Sequence, residues 1–408
     1  MTTGSQRHSP TTGKMTSTRQ IALRSGVLAS ISIIMVVTAW WLKGFRLRVI
    51  GDAAAMTGLC NAGITSYPLD RMAFLIPYCF TIEVAGVRPW LIIQIFLWGI
   101  AVVALYRAGS ILFDETTGFL AGLGIALTWE TFRFAVRPQT DLMLLFAVAL
   151  CFWALARYYH SETRKNMVLV VGVVTLALIS RPLSIPIVFG WIIWKMSEYR
   201  AEFSVSPRKM SRRVMGLTIG ALGVGLFTIQ RFFIQRLFRP APTASINWRQ
   251  GLAGSWYHGI IVTHPGEPTI QYLYQPEPAG QMLKWMLLNI EHIVVMGLMR
   301  MAAFFIPLLP RWSTFHIVVN AVTILPFIIG TFLGARHLIK NGKTRIAGLL
   351  LAPIVGSLIT VAIIFVDGGF NYRAPATLSF VLLTAYWCRE MLASTGLENR
   401  LQQLLPYV

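Results

Sequence analysis

Carboxylates and arginines meet at three places in this otherwise apolar chain. The first is "RLRVIGDAAAMTGLCNAGITSYPLDR", residues 46–71, where Asp52 lies between Arg46, Arg48 and Arg71. The second is "ETFRFAVRPQTD", residues 130–141, with Arg137 and Asp141. The third is "DGGFNYRAP", residues 367–375, with Asp367, Tyr372 and Arg373, and "SRPLSIP", residues 180–186, adds Arg181. A carboxylate held close to a hydroxyl can take its proton. A guanidinium can grip a phosphate through two parallel hydrogen bonds and stabilise the charge that grows on a departing one. Together they are the minimum set for moving a group from a phosphate ester to a hydroxyl. Each cluster alone has a plainer reading, because a carboxylate just outside a membrane span is usually solvated or paired with an interfacial arginine.

Other chemistry-bearing residues carry less. His258, His264 and Glu267 lie in "WYHGIIVTHPGEP", but their spacing matches no strong metal motif. No metal site and no cofactor are expected; a divalent metal is not indicated. The paired acids of "FDETTG", residues 113–118, precede a helical run and read as N-terminal capping charges. Of the four cysteines, Cys60 and Cys79 could form a disulfide if both face outward, whereas Cys151 and Cys388 lie in apolar runs.

The elements that position these residues must be membrane helices. Of 408 residues 55% are hydrophobic and 13% charged, and the mean hydropathy is +0.61. That composition excludes a soluble globular domain and implies an all-α polytopic membrane protein. The expected spans are roughly 26–42, 89–106, 116–132, 141–157, 166–181, 182–197, 214–231, 315–335, 346–366 and 374–390, about ten in all. Arg, Lys, Tyr and Trp at their ends can snorkel and lengthen short cores. Residues 282–308 carry Lys284, Glu291, His292 and Arg300 and read as an interfacial or re-entrant helix rather than a crossing one.

The net charge is +20. The basic residues are scattered between spans, which argues against a nucleic-acid partner. With the N-terminus inside, the inner segments 1–25, 107–115, 157–165, 195–213, 336–345 and 389–408 hold 20 of the 36 Lys and Arg residues. That is the sign expected of cytoplasmic loops. The expected division is a cytoplasmic tail, 1–25, a transmembrane catalytic domain, 26–397, and a C-terminal tail, 398–408. Two long outer segments, 43–88 and 232–314, would roof a cavity on the outer face. One of them contains the amphipathic "DRMAFLIPYCFTIEVAG", residues 70–86.

The order of the pieces adds a resemblance. A short first span is followed by an outer loop with an early Asp and then by "YPLDRMAFLIPYCFTIEVAG" and "RPWLIIQIFLWGIAVVALYRAGSILF". Further on come "RPQTDLMLLFAVALCFWALARYY", "SRPLSIPIVFGWIIW" and "FNYRAPATLSFVLLTAYW". This resembles the GT-C membrane glycosyltransferases that use polyprenyl-phosphate sugars, the group of protein mannosyltransferases and lipid A aminoarabinose transferases. The resemblance covers residues 26–200 and, more loosely, the last 90.

It implies an integral protein of the plasma (inner) membrane with its active site on the outer face. A polyprenyl-phosphate-linked sugar would be the donor and a glycan, lipid or protein the acceptor, with membrane lipid around both. Asp52 matches the first-loop Asp taken as catalytic base, and Asp141 the acid that opens the fourth span. Arg373 matches a late basic position near the lipid phosphate. Arg71, Glu83, Arg137, Arg181 and Tyr372 complete the expected substrate contacts. Many relatives have two adjacent acids in the first loop, but here Asp52 is followed by Ala53. Asp52 then works alone or with Glu83 or Asp141. Two rival functions use the same lipid chemistry: a non-catalytic flippase of lipid-linked glycan, and a surface-polysaccharide polymerase or ligase.

Overall fold

The computed structural model describes residues 18–42, 52–181, 184–185, 187–188, 190–192, 195, 254–257, 260–263, 290–306, 314–363 and 369–395. The expected span 214–231, and His258, His264, Glu267, Arg46, Arg48, Lys284 and Asp367, lie outside them, as do the side chains of Asp52, His292 and Tyr372.

The described chain is almost wholly helical. Its first half holds α1 (Thr18–Leu42), α2 (Asp52–Ala62), α3 (Met72–Ala85), α4 (Val87–Leu112), α5 (Glu115–Leu127), α6 (Trp129–Phe132), α7 (Thr140–His160) and α8 (Arg164–Leu178). Its second half holds α9 (Ile290–Phe304), α10 (Thr314–Lys340), α11 (Thr344–Ile363) and α12 (Gly369–Ser394). One antiparallel ribbon departs from the all-helical expectation: β1 (Gly254–Tyr257) pairs with β2 (Ile260–Thr263) in the register Gly254 to Thr263.

Five of these helices, α1, α4, α7, α10 and α11, are long and apolar enough to cross a membrane. The pair α5–α6, with the 3₁₀ turn Arg133–Val136, makes a sixth span if taken together, bent by 58°. The protein is thus an integral multi-pass membrane protein. Hydrocarbon offers no partner for backbone polar groups, so helices that satisfy their own are the form such apolar runs must take.

Helix α12 is less apolar, yet every residue from Arg373 to Tyr386 is buried. It is the post around which α5, α10 and α11 pack, so its polar residues meet protein rather than lipid. The lipid-facing side is plain on α10, where Val318, Val322, Leu325, Ile329 and Phe332 are exposed at alternating spacings of four and three.

Small residues let the helices close up. A Cβ on Gly109 of α4 would lie 2.9 Å from the Cα of Gly118 on α5. On α10, a Cβ at Gly334 would overlap the Leu383 carbonyl oxygen of α12, and one at Gly330 would overlap Thr384.

Ion pairs define one end of the bundle. Asp114 caps α5 by accepting from the Thr117 amide at 2.8 Å, as the capping expectation for "FDETTG" held. The Arg389 Nε lies 2.8 Å from Asp114 Oδ2. Glu115 accepts from the Tyr106 hydroxyl at 2.5 Å and lies 3.7 Å from Arg24 of α1. His337 of α10 meets Glu390 of α12 at 3.4 Å. The first described turns of the chain and the end of α12 therefore share this Asp114 end.

The opposite end is marked by Glu130 and Arg373. Helix α9 keeps to that end. The carbonyls of Phe304 and Ile306 accept from Arg373, and a Cβ on Gly297 would lie 3.4 Å from the Ala362 carbonyl oxygen, at the far end of α11.

The α10–α12 seam gives a direct test. Gly334→Val drives a side chain into the Leu383 backbone, and over-packing of this kind costs about 1–3 kcal/mol. Gly172→Ala on α8, where nothing lies within 4 Å, should be neutral or slightly stabilising. Thermal unfolding of the two purified variants in one detergent should lower the midpoint for the first and leave the second unchanged or higher.

Candidate active site at the Glu130 end

A break in the helix exposes the site's chemistry to the bundle interior. Helix α5 leaves helical geometry at Thr128 (φ −78°, ψ 104°). The Thr128 hydroxyl donates to the Gly124 carbonyl at 2.7 Å and the Thr131 hydroxyl to the Thr128 carbonyl at 2.8 Å, so the hydroxyls line the bend. Pro138 then holds Arg137 extended (φ −138°, ψ 136°), because a proline disfavours the helical region for the residue before it. Helix α7 starts two residues later with Asp141 in its first turn, where the helix dipole favours a carboxylate.

Four arginines and two carboxylates gather around this break. Glu130 Oε1 accepts from Arg373 Nε at 2.9 Å, and both side chains are 0% exposed. Arg373 also donates through Nη1 to the Phe304 carbonyl at 2.9 Å and to that of Ile306 at 3.2 Å. Asp141, 1% exposed, pairs with Arg181. Arg133 donates to the Glu130 carbonyl at 3.1 Å and lies 4.7 Å over the Phe134 ring. The charges of Glu130, Arg137, Asp141 and Arg373 all act on it. The second Glu130 oxygen, Oε2, has no hydrogen bond among the described residues. With two carboxylates against four guanidinium groups, the cluster carries a positive excess.

The segment from α2 to α3 is clamped to this end. Cys60 and Cys79 form a disulfide between α2 and α3 with their Cα atoms 5.2 Å apart. Thr57 and Tyr78 share a hydrogen bond of 2.9 Å. Burial raises the Tyr78 phenol above its ordinary range, so it stays protonated there. The Arg71 guanidinium lies 3.8 Å from the Met56 sulfur. Met56 belongs to the same apolar cluster as Phe74, Tyr78, Trp90 and Met143, and Met143 stands two residues beyond Asp141. The Ala73 amide donates to the Ile179 carbonyl at 3.1 Å, two residues before Arg181. Asp52 opens α2 one turn ahead of Met56.

The structure thus brings Arg137, Asp141, Arg181 and Arg373 to one end and holds against it α2, which Asp52 opens, and α3, which Arg71 directly precedes. Glu83 is exposed on α3, and no ion pair joins it to the cluster among the described residues. Tyr372 adjoins Arg373 in the first turns of α12. Reading by sequence passed over Glu130 and Arg133, although both lie within the quoted stretch 130–141. The available signal was an acid directly after the apolar run "GFLAGLGIALTW", a place where burial demands a partner. Among the described residues, no three His, Cys, Asp or Glu side chains are grouped to hold a metal ion.

Residues 72–228 match the family model described as dolichyl-phosphate-mannose-protein mannosyltransferase. The resemblance read from the motif order is borne out over that stretch, which contains Glu130, Arg133, Arg137, Asp141 and Arg181. The match supports a membrane glycosyltransferase of the mannosyltransferase kind that draws on a lipid-phosphate sugar. No curated protein and no solved structure matches the chain.

The buried pair makes a stability prediction. Glu130→Leu leaves the Arg373 charge buried without its carboxylate, a loss of about 3–5 kcal/mol in comparable buried pairs. Adding Arg373→Met removes the stranded charge and should recover part of that loss. Thermal unfolding of wild type, both single variants and the double variant in detergent measures the coupling.

Proposed function

We propose that this chain transfers a sugar from a polyprenyl-phosphate donor to an acceptor hydroxyl at the Glu130 end, and that this end faces outward across the plasma (inner) membrane. The observation that carries the proposal is the family match over residues 72–228. The positive excess of the arginine cluster supports it, since the leaving group is a phosphate. Two observations support the outward side. The Cys60–Cys79 disulfide sits at this end, and disulfides persist in oxidising compartments. The basic segments 107–115, 157–165 and 336–345 adjoin the opposite end, as cytoplasmic loops would.

In the proposed reaction Asp52 takes the proton of the acceptor hydroxyl. The acceptor oxygen attacks the anomeric carbon as its bond to the phosphate oxygen breaks. The bonding electrons leave with the lipid phosphate. One displacement without a covalent enzyme intermediate inverts the anomeric centre. Asp141 keeps Arg181 in place. Arg137 and Arg181 meet the phosphate directly, while Arg373, already holding Glu130, adds to the positive field. Arg71, Glu83 and Tyr372 complete the substrate contacts. The acceptor is a glycan, a lipid or a protein hydroxyl.

Asp52→Asn keeps the size of the side chain but takes no proton. General-base help is worth roughly 10²–10⁴-fold, so turnover per molecule of purified protein should fall by about that factor while insertion is kept. Activity within about threefold of wild type, well short of a general-base effect, would remove Asp52 from this role.

Sidedness is tested separately. In intact cells a membrane-impermeant thiol reagent should label Glu83→Cys, on the exposed side of α3, and leave Asn341→Cys, in the turn after α10, unlabelled. The reverse pattern would invert the topology.

A further inference from the structure

At the Asp114 end a groove of about 750 Å³ opens between α4, α7 and the start of α8. Its inner wall is hydrocarbon, from Ile100, Ile111, Leu150 and Trp153, and its rim is cationic, from Arg107, Arg157 and Lys165. No carboxylate lines it.

The rim cations differ from their neighbours. At the same end Arg24 pairs with Glu115 and Arg389 with Asp114. Glu162, the acid closest in sequence to the rim, lies 3.6 Å from Lys195 instead. Arg107, Arg157 and Lys165 form no ion pair among the described residues. Arg157 lies 5.2 Å over the Trp153 ring and Arg107 6.0 Å from the centre of the Tyr106 ring. The turn that carries the rim is itself fixed. The buried Asn166 side chain donates to the Arg157 carbonyl at 3.2 Å and to the Ser161 carbonyl at 2.8 Å, and Thr163 caps α8.

We propose that this groove binds an anionic phospholipid of the surrounding leaflet. Its phosphate sits among Arg107, Arg157 and Lys165, and one acyl chain lies along Ile100 and Leu150. From Ile100 to Arg107, α4 rises roughly 10 Å, which matches a headgroup at the membrane surface with the upper part of a chain below it. Charge complementarity selects an anion, and the apolar wall selects a lipid over free phosphate. The groove and the Glu130 cluster lie at opposite ends of α4 and α7, so the lipid held here is separate from the sugar donor. The reading of this end as cytoplasmic sets only which leaflet supplies it.

The test uses the purified full chain in detergent, with thermal unfolding and native mass spectrometry as readouts. Phosphatidylglycerol should raise the midpoint and stay bound at least about tenfold better than phosphatidylcholine, as three surface cations imply. Inorganic phosphate at the same concentration should do neither. The Arg107→Gln, Arg157→Gln, Lys165→Gln triple variant should lose the preference, whereas Lys340→Gln with Arg345→Gln, outside the groove, should keep it. If the triple variant is not monodisperse, Arg157→Gln alone is read in its place and should weaken the preference. Equal binding of the two phospholipids, a match by inorganic phosphate, or a groove variant that keeps the preference would overturn the proposal.

Discussion

The ion pair between Glu130 and Arg373 joins the two halves of the protein. It links positions 243 residues apart, and neither side chain reaches solvent. Bringing both charges out of water is expensive, and only good geometry and further hydrogen bonds offset it. Arg373 has these, since it also takes the carbonyls of Phe304 and Ile306, where α9 ends and leaves two acceptors without helical partners. One guanidinium therefore fixes three elements at once: the α5–α6 break, the end of α9 and the start of α12. Losing either partner would leave a charge in a place that cannot solvate it.

Local sequence is arranged to let that pair form. An unbroken α5 would carry Glu130 onward along the span axis. The extended dihedrals at Thr128 turn the chain by 58° and keep Glu130 inside the bundle. Polar groups freed by the break are met by Thr128 and Thr131, as they must be where no water is at hand. The close approach of α10 to α12 at Gly330 and Gly334 brings the post near enough for its buried face to be lined by protein. The break, the glycines and the ion pair are parts of one solution to placing charge inside a membrane.

Hydropathy made most of the helices legible. Spans such as 89–106, 141–157 and 315–335 lie within α4, α7 and α10 because apolar runs of that length have few alternatives in lipid. Expected ends were often several residues inside the observed ones, since α1 begins at Thr18 and α4 runs to Leu112. Arginines and tyrosines extend a helix beyond its charge-free core. The site was legible in part. Asp141 and Arg181 were both singled out, but their pairing was not, because it depends on how α7 meets the turn after α8. Glu130 was passed over because a single acid within an apolar stretch reveals its partner only in three dimensions, and that partner lies in the last helix. The β1–β2 ribbon was missed for another reason: "GSWY" and "IIVT" are runs of four residues, too short to make a span-like pattern.

The state of the carboxylates narrows the division of labour at the Glu130 end. Glu130 is enclosed and bound to Arg373, and Asp141 is enclosed and bound to Arg181. Both are closed to solvent, Glu130 at 0% and Asp141 at 1% exposure, so a hydroxyl arriving from water does not reach even the Glu130 Oε2 that no hydrogen bond occupies among the described residues. These two acids are better suited to holding arginines in position than to taking a proton from a substrate. In the proposed reaction the base is carried instead by an element outside the bundle core but fixed to it. Helix α2 meets that requirement: the Cys60–Cys79 bridge, the Thr57–Tyr78 hydrogen bond and the packing of Met56 near Met143 hold it at this end. Asp52 opens that helix. The proposed reaction thus puts its base on a clamped helix beside arginines held by buried acids, with the hydroxyl arriving from water and the phosphate staying at the membrane.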